Sequence, residues 1–178
     1  GLTAASISSY SNPVYSNWAN NRSQFLILGS ELTASGFTAG NITALSFNLT
    51  STSTTVRNSY TIKMGHTATA AMTTAAFLAP TFTTVFSNNF TPAVGTNTFT
   101  FTTPFTWDGS SNVVIEMCWD NTASTATESS TASGQTTSFN SAISYNRTST
   151  TGTSICGAAN TPSTAYTTRP IFTLTGVR

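Results

Sequence analysis

The chain has 178 residues, a formal net charge of +1 and only 6% charged side chains, against 64 Ser or Thr, where an ordinary soluble domain is about 25% charged. Its 6 basic residues, Arg22, Arg57, Lys63, Arg147, Arg169 and Arg178, are scattered, which excludes the basic stripe of a nucleic-acid binder, and no segment reaches the roughly 18–20 apolar residues of a membrane-inserting helix. With 12 Phe, 5 Tyr and 3 Trp the chain can build a core and does not read as disordered, and its length suits a single domain.

The dominant rhythm is alternation. Ala4–Tyr10 reads as a short strand ahead of the main body. Gln24–Leu28 follows, then Ser30–Ala34, where a cap residue precedes good helix formers and Gly36 ends a helical turn. In Ile42–Thr50, Thr43, Leu45, Phe47 and Leu49 oppose Ile42, Ala44, Ser46 and Asn48, a half-buried strand with one face in and one out. Ser59–Gly65 is the next strand. Ala68–Phe77, rich in Ala and Met, is a second candidate helical turn. Thr81–Phe86, Asn97–Thr102 and Asn112–Trp119 continue the series, with Thr98 and Thr100 opposing Phe99 and Phe101. Thr136–Tyr145 and Pro170–Thr175 complete it. Turn signals at Ala39-Gly40-Asn41, Thr91-Pro92, Asp108-Gly109 and Ser133-Gly134 separate these runs. Asn121–Ser133 and Thr148–Thr164 read as long loops.

Eight or nine short antiparallel strands with one or two helical turns predict an all-β fold, a single jelly-roll-like β-sandwich. Residues 24–178 are its expected body. Residues 1–23 are expected to be an extension, or an edge strand given to a neighbouring copy.

The segment Thr103-Pro104-Phe105-Thr106-Trp107-Asp108-Gly109-Ser110-Ser111-Asn112-Val113-Val114-Ile115-Glu116-Met117-Cys118-Trp119 is the most distinctive: a turn at Asp108-Gly109 feeding a buried run. It resembles the PF.WDG.SN..IE.C element of surface and secreted proteins of Bacteroidota exported by the type IX secretion system. Ser30-Glu31-Leu32-Thr33-Ala34, Gly40–Phe47, Tyr60–Thr67 and Arg169-Pro170 are similar in order, so the resemblance extends from about Gln24 to Leu174. It implies a β-sandwich module standing beside adhesin, fibronectin-type and sorting domains, and no one chemistry. The C-terminal sorting domain typical of such proteins is not among these residues, as in a matured product or an excised domain.

Cys118 and Cys156 suggest one disulfide closing a loop of about 39 residues, worth roughly 4 kcal/mol at most in the loop-entropy model; two free thiols are the alternative. Asp108, Ser110 and Asn112 offer oxygens at alternate positions of a turn, a candidate Ca²⁺ site, against an Asx-type turn that spends Asp108 on nearby amides. No other cofactor is expected. Catalytic residues are not expected either. His66 is the only His, there is no G-x-S-x-G elbow, and Glu116 and Asp120 lie about 13 Å apart along one strand. Glu116 reads as a partly buried acid paired with an arginine such as Arg57 or Arg169. Trp107 and Trp119 read as core, while Tyr10, Tyr15 and Trp18 are the candidate ligand or assembly contacts.

The expectation is a secreted or cell-surface, non-catalytic structural or adhesive protein that assembles with itself into a fibre or layer. The alternative is a carbohydrate-binding adhesin module, with or without Ca²⁺, whose partners are surface glycans.

Overall fold

A computed structural model describes residues 3–15, 19–121, 130–147, 154–157 and 159–178. The elements in chain order are β1 (Thr3–Ile7), β2 (Asn20–Ile27), α1 (Gly29–Ala34), β3 (Gly40–Ser51), β4 (Arg57–Thr67), β5 (Thr83–Phe90), β6 (Gly95–Trp107), β7 (Asn112–Asp120), β8 (Thr131–Thr136), β9 (Ala142–Arg147), β10 (Thr164–Tyr166), β11 (Thr168–Pro170) and β12 (Thr173–Gly176). They form two antiparallel sheets packed face to face.

The pairing is nested. β1 pairs with β8, β2 with β7, β3 with β6 and β4 with β5. The first eight strands are therefore one long hairpin with its apex between β4 and β5, rolled so that successive pairs alternate between sheets. β3–β8 and β4–β7 contacts join the rungs. The resulting orders, β1-β8-β3-β6 and β2-β7-β4-β5, are those of a jelly roll. β9 and β10 extend the second sheet beyond β2.

β3 and β8 touch only at Leu49–Ala132 and Ser51–Thr131, then diverge. The last segment fills the fork, β11 running along β8 and β12 along β3. This segment was expected as one strand, Pro170–Thr175, and so was Thr136–Tyr145. The latter also divides, because the chain changes sheets: β8 lies in the first and β9 in the second. Residues 137–141 turn that corner, with Thr137 N donating to Thr167 O at 2.7 Å and Ser141 N to Tyr166 O at 2.8 Å. These divisions, with β10, raise the number to twelve strands among the described residues.

Alternation places the core. Phe47, Phe99, Trp107, Ile115, Met117 and Trp119 lie between the sheets. The Tyr60 ring is nearly parallel to Phe99 (13°, centroids 5.6 Å) and to Trp119 (16°, 6.1 Å), a column of large apolar area that ties β4, β6 and β7 together. β2 and β7 are buried on both faces, because a second, smaller core covers the far side of their sheet. There Met72, Phe77 and Leu78 from the β4–β5 connection pack on Leu26, Val114 and Ile143. That connection contains no helix, contrary to the expectation for Ala68–Phe77. Its apolar side chains are taken up by the sheet at irregular spacing, and a Cβ on Gly65 would lie 2.6 Å from Pro80 Cγ, so the cover lies directly on β4.

The same outer face carries Arg22, Gln24, Glu116 and Cys118 at alternate positions of β2 and β7. Arg22 Nε and Nη2 each lie 2.8 Å from Glu116 Oε1. Gln24 Nε2 donates to the same oxygen at 2.9 Å, and the Arg22 guanidinium stacks 4.2 Å from the Phe77 centroid. Glu116 thus pairs with Arg22, not Arg57 or Arg169, because the β2–β7 register sets residues 22 and 24 beside 116 and 118. Cys118 and Cys156 are disulfide-bonded with Cα atoms 5.8 Å apart, which pins residues 154–157 over this face and buries Ile155 completely.

α1 forms where expected, but its N-cap is Leu28. Glu31, three residues on, returns a carboxylate oxygen to Leu28 N at 2.8 Å, the reciprocal half of a capping box.

Removing one partner of the buried pair leaves the other charge stranded, which costs about 3–5 kcal/mol, whereas replacing both with apolar groups is often near neutral. Arg22→Met is expected to lower the urea midpoint sharply, and Arg22→Met with Glu116→Met to recover most of the loss, both read from equilibrium unfolding curves.

Candidate functional site

Burial withdraws several of the chain's few charges from the surface of the described residues. Arg22, Arg57, Arg169 and Glu116 are buried, and among the described residues only Asp108 and Arg178 are both charged and exposed. The outer face of the first sheet is correspondingly uniform. Cross-strand register aligns Thr98, Ser46 and Thr173 in one row, and Thr100, Ala44 and Thr175 in the next. Thr96 stands opposite Asn48, whose Nδ2 donates to Ser133 Oγ at 3.0 Å.

The described sheets end at four outer strands, and three of them are defended against pairing. β6 carries Pro104 and faces a register shift in β3. The β4–β5 ladder shifts register twice, and β10 has three residues. β1 differs. Its pairing to β8 runs from Thr3–Thr136 to Ile7–Ala132 without a shift, and Thr-Ala-Ala-Ser-Ile contains neither charge nor proline. Its position is fixed from inside by Ile7, which lies against Gly134 so closely that a Cβ there would come within 2.4 Å of Ile7 Cδ1.

The chain after β1 is also part of the body, and β2 runs across the boundary expected between residues 23 and 24. Residues 11–15 are buried. Asn12 Nδ2 donates to Ser130 O at 2.9 Å, and Asn12 Oδ1 accepts from Val14 N at 3.0 Å. Arg57 Nη2 donates to Val14 O at 2.9 Å and Tyr60 Oη to Pro13 O at 3.0 Å. Burial lowers the Arg57 pKa to about 10 and pushes the Tyr60 phenol up. Arg57 is held by backbone carbonyls and stacks on Trp119 at 5.4 Å. This fastening had no signature in the sequence, since a carbonyl acceptor can belong to any residue.

Tyr10 and Tyr15 meet each other edge to face at 5.1 Å, with Tyr15 buried; Trp18 lies outside the described residues. Trp107 and Trp119 are in the core, as expected. His66 packs on Phe105 at 4.8 Å.

Of Asp108, Ser110 and Asn112 the structure brings the first two together, with Ser110 Oγ 3.4 Å from Asp108 Oδ1, but not the third. Asp108 Oδ1 accepts from Ser110 N at 2.9 Å and Ser111 N at 2.8 Å, and Ser111 Oγ donates to Oδ2 at 2.5 Å. Asn112 faces the other way, accepting from Gly29 N and donating to Thr69 O. Among the described residues no group of three His, Cys, Asp or Glu side chains is placed to hold a metal ion.

Together the geometry defines a jelly-roll sandwich with a hydroxyl-covered sheet face and, among the described residues, one undefended edge. No family model matches the chain, and no curated protein or solved structure matches it.

The Ser111 hydroxyl, followed by the Ser111 and Ser110 amides, holds the Asp108 carboxyl below its ordinary value of 3.8. A depressed folded-state pKa contributes stability that is present above the unfolded value and lost as pH falls through the folded one. Asp108→Asn is therefore expected to lower thermal stability at neutral pH and to flatten its decline below about pH 4, measured as Tm against pH.

Proposed function

We propose that this chain is a non-catalytic, extracellular structural or adhesive module that associates with copies of itself through the free edge of β1. The observation that carries the reading is the contrast among edges: only β1 offers an uninterrupted, uncharged backbone ladder. An exposed strand edge is a template for main-chain pairing, and edge lysines or prolines are the usual guards. Two β1 strands meeting antiparallel would join two first sheets into one continuous sheet about a two-fold axis. The hydroxyl rows of both copies would then form a single uncharged surface. A net charge of +1 supplies little repulsion to oppose the contact.

The extracellular assignment rests on the disulfide, which persists in oxidising compartments. The resemblance of the Pro104–Cys118 segment to exported surface proteins of Bacteroidota agrees with it. Secretion by the type IX route belongs to this proposal.

The side chains of Ala4 and Ser6 are exposed on β1. Placing Lys at both sets like charges across the proposed two-fold contact. Sedimentation velocity over a concentration series is expected to show association of the native chain. Ala4→Lys with Ser6→Lys should weaken it by at least about tenfold, the equivalent of 1.4 kcal/mol. A native chain that stays monomeric throughout, or an unaffected double variant, sinks the proposal.

A further inference from the structure

The fork between β3 and β8 opens, at its wide end, onto α1. There the structure has a cleft of about 250 Å³ whose lining includes Glu31, Leu32, Gln135, Arg169, Phe172 and Arg178. Drug-sized ligands occupy roughly 300–1,000 Å³, so this volume suits one small ring rather than an extended molecule.

Its polar groups are held by an arginine that does not itself reach solvent. Arg169 is 2% exposed. Its Nη1 donates to Leu26 O, and its Nη2 donates to Glu31 Oε1 at 2.6 Å. Its Nε and Nη2 also lie 3.0 and 2.9 Å from the Gln135 side-chain oxygen, in the amide orientation that its neighbours require. Glu31 is fixed a second time through Leu28 N. Two side chains from different elements are thereby locked in place, Glu31 as an acceptor and the Gln135 amide nitrogen as a donor. At the mouth, Arg178 lies 4.6 Å over the Phe37 ring and donates from Nη1 to Ser35 O at 2.8 Å. Its remaining N–H groups are further donors. Apolar side chains, Leu32 and Phe172 among them, line the rest.

We infer that this cleft binds one residue of a neutral saccharide. A sugar ring has an apolar C–H face and a rim of hydroxyls that donate and accept. The cleft matches both parts: an apolar lining, one fixed carboxylate to accept from hydroxyls, and an amide and a guanidinium to donate to them. Glu31 is balanced by Arg169, so the enclosed part of the cleft carries no net charge, and Arg178 stands at its mouth over Phe37. Acceptors and donors fixed before binding lower the ordering cost of recognition. The site owes nothing to Tyr10, Tyr15 or the Asp108 turn, and goes beyond the self-association reading.

The test is an amide chemical-shift titration of the ¹⁵N-labelled chain with the methyl glycosides of glucose, galactose, mannose and N-acetylglucosamine. At least one is expected to give saturable shifts centred on Gln135, Phe172, Thr173 and α1, with a Kd of about 1 mM, typical of a site with few contacts. Thr173 is exposed and lines the cleft, so Thr173→Trp should abolish the shifts by filling it. Arg178→Ala, a change at an exposed residue, should raise the Kd by about fivefold or more. Ser6→Lys alone, at a position opposite Ser133 and not Gln135, should bind as the native chain does, which separates this site from edge pairing. No saturation by any of the four glycosides, shifts centred elsewhere, or shifts indifferent to both cleft variants would overturn the inference.

Discussion

The nested pairing of the first eight strands is the constraint on which everything else depends. Once β4 and β5 form the apex, each outer pair must follow the one inside it, and the twist of the growing ladder rolls it into two sheets. The roll leaves two openings. At the first, β2 and β7 turn one face outward, where the apex connection and residues 154–157 are laid down as cover. At the second, β3 and β8 part company, and the C-terminal strands enter the gap. The disulfide and the small second core belong to the first opening, and the cleft to the second.

Charge follows from the same geometry. Charged side chains are almost never fully buried unless paired, so a chain with few of them has reason to keep them on its surface. Here the buried ones lie where covering segments meet the sheets. Arg22 and Glu116 lie under the apex connection, Arg57 grips the segment between β1 and β2, and Arg169 joins α1 to β8 and β11. Buried ion pairs contribute little net stability against apolar replacements, but their geometric demands are strict. In this chain they act as locators, and the surface is left to hydroxyls and amides.

Much of the sandwich was legible in the sequence because alternation is a local property. Leu45, Phe47 and Leu49 on β3, or Phe99 and Phe101 on β6, declare their inward face without reference to any partner. The run from Val113 to Trp119 declared a buried strand, though not that both of its faces are covered, nor by what. Strand ends were less legible. Nothing local in Thr136–Tyr145 marks the corner at which the chain leaves one sheet for the other, because that corner is set by Tyr166 and Thr167, far along the chain. The site was least legible of all. Asp108, Ser110 and Asn112 have ligand-like spacing, yet strand direction sends Asn112 toward Gly29 and Thr69. Tyr10 and Tyr15 have the composition of a binding loop, yet they pack on each other. Glu31, Gln135, Arg169 and Arg178 span most of the chain and share no motif.

What the sequence alone determined is therefore the periodic part: an all-β chain, a charge-poor surface, Trp107 and Trp119 in the core and the helical turn before β3. The cysteine pair was legible as a candidate. Each depends on residues near one another or on composition. Tertiary structure decided which acid meets which arginine, which edge strand is undefended and where a cleft opens. Those outcomes depend on register and on the rolling of the hairpin, and a one-residue slip in any ladder would change them while leaving every local pattern intact.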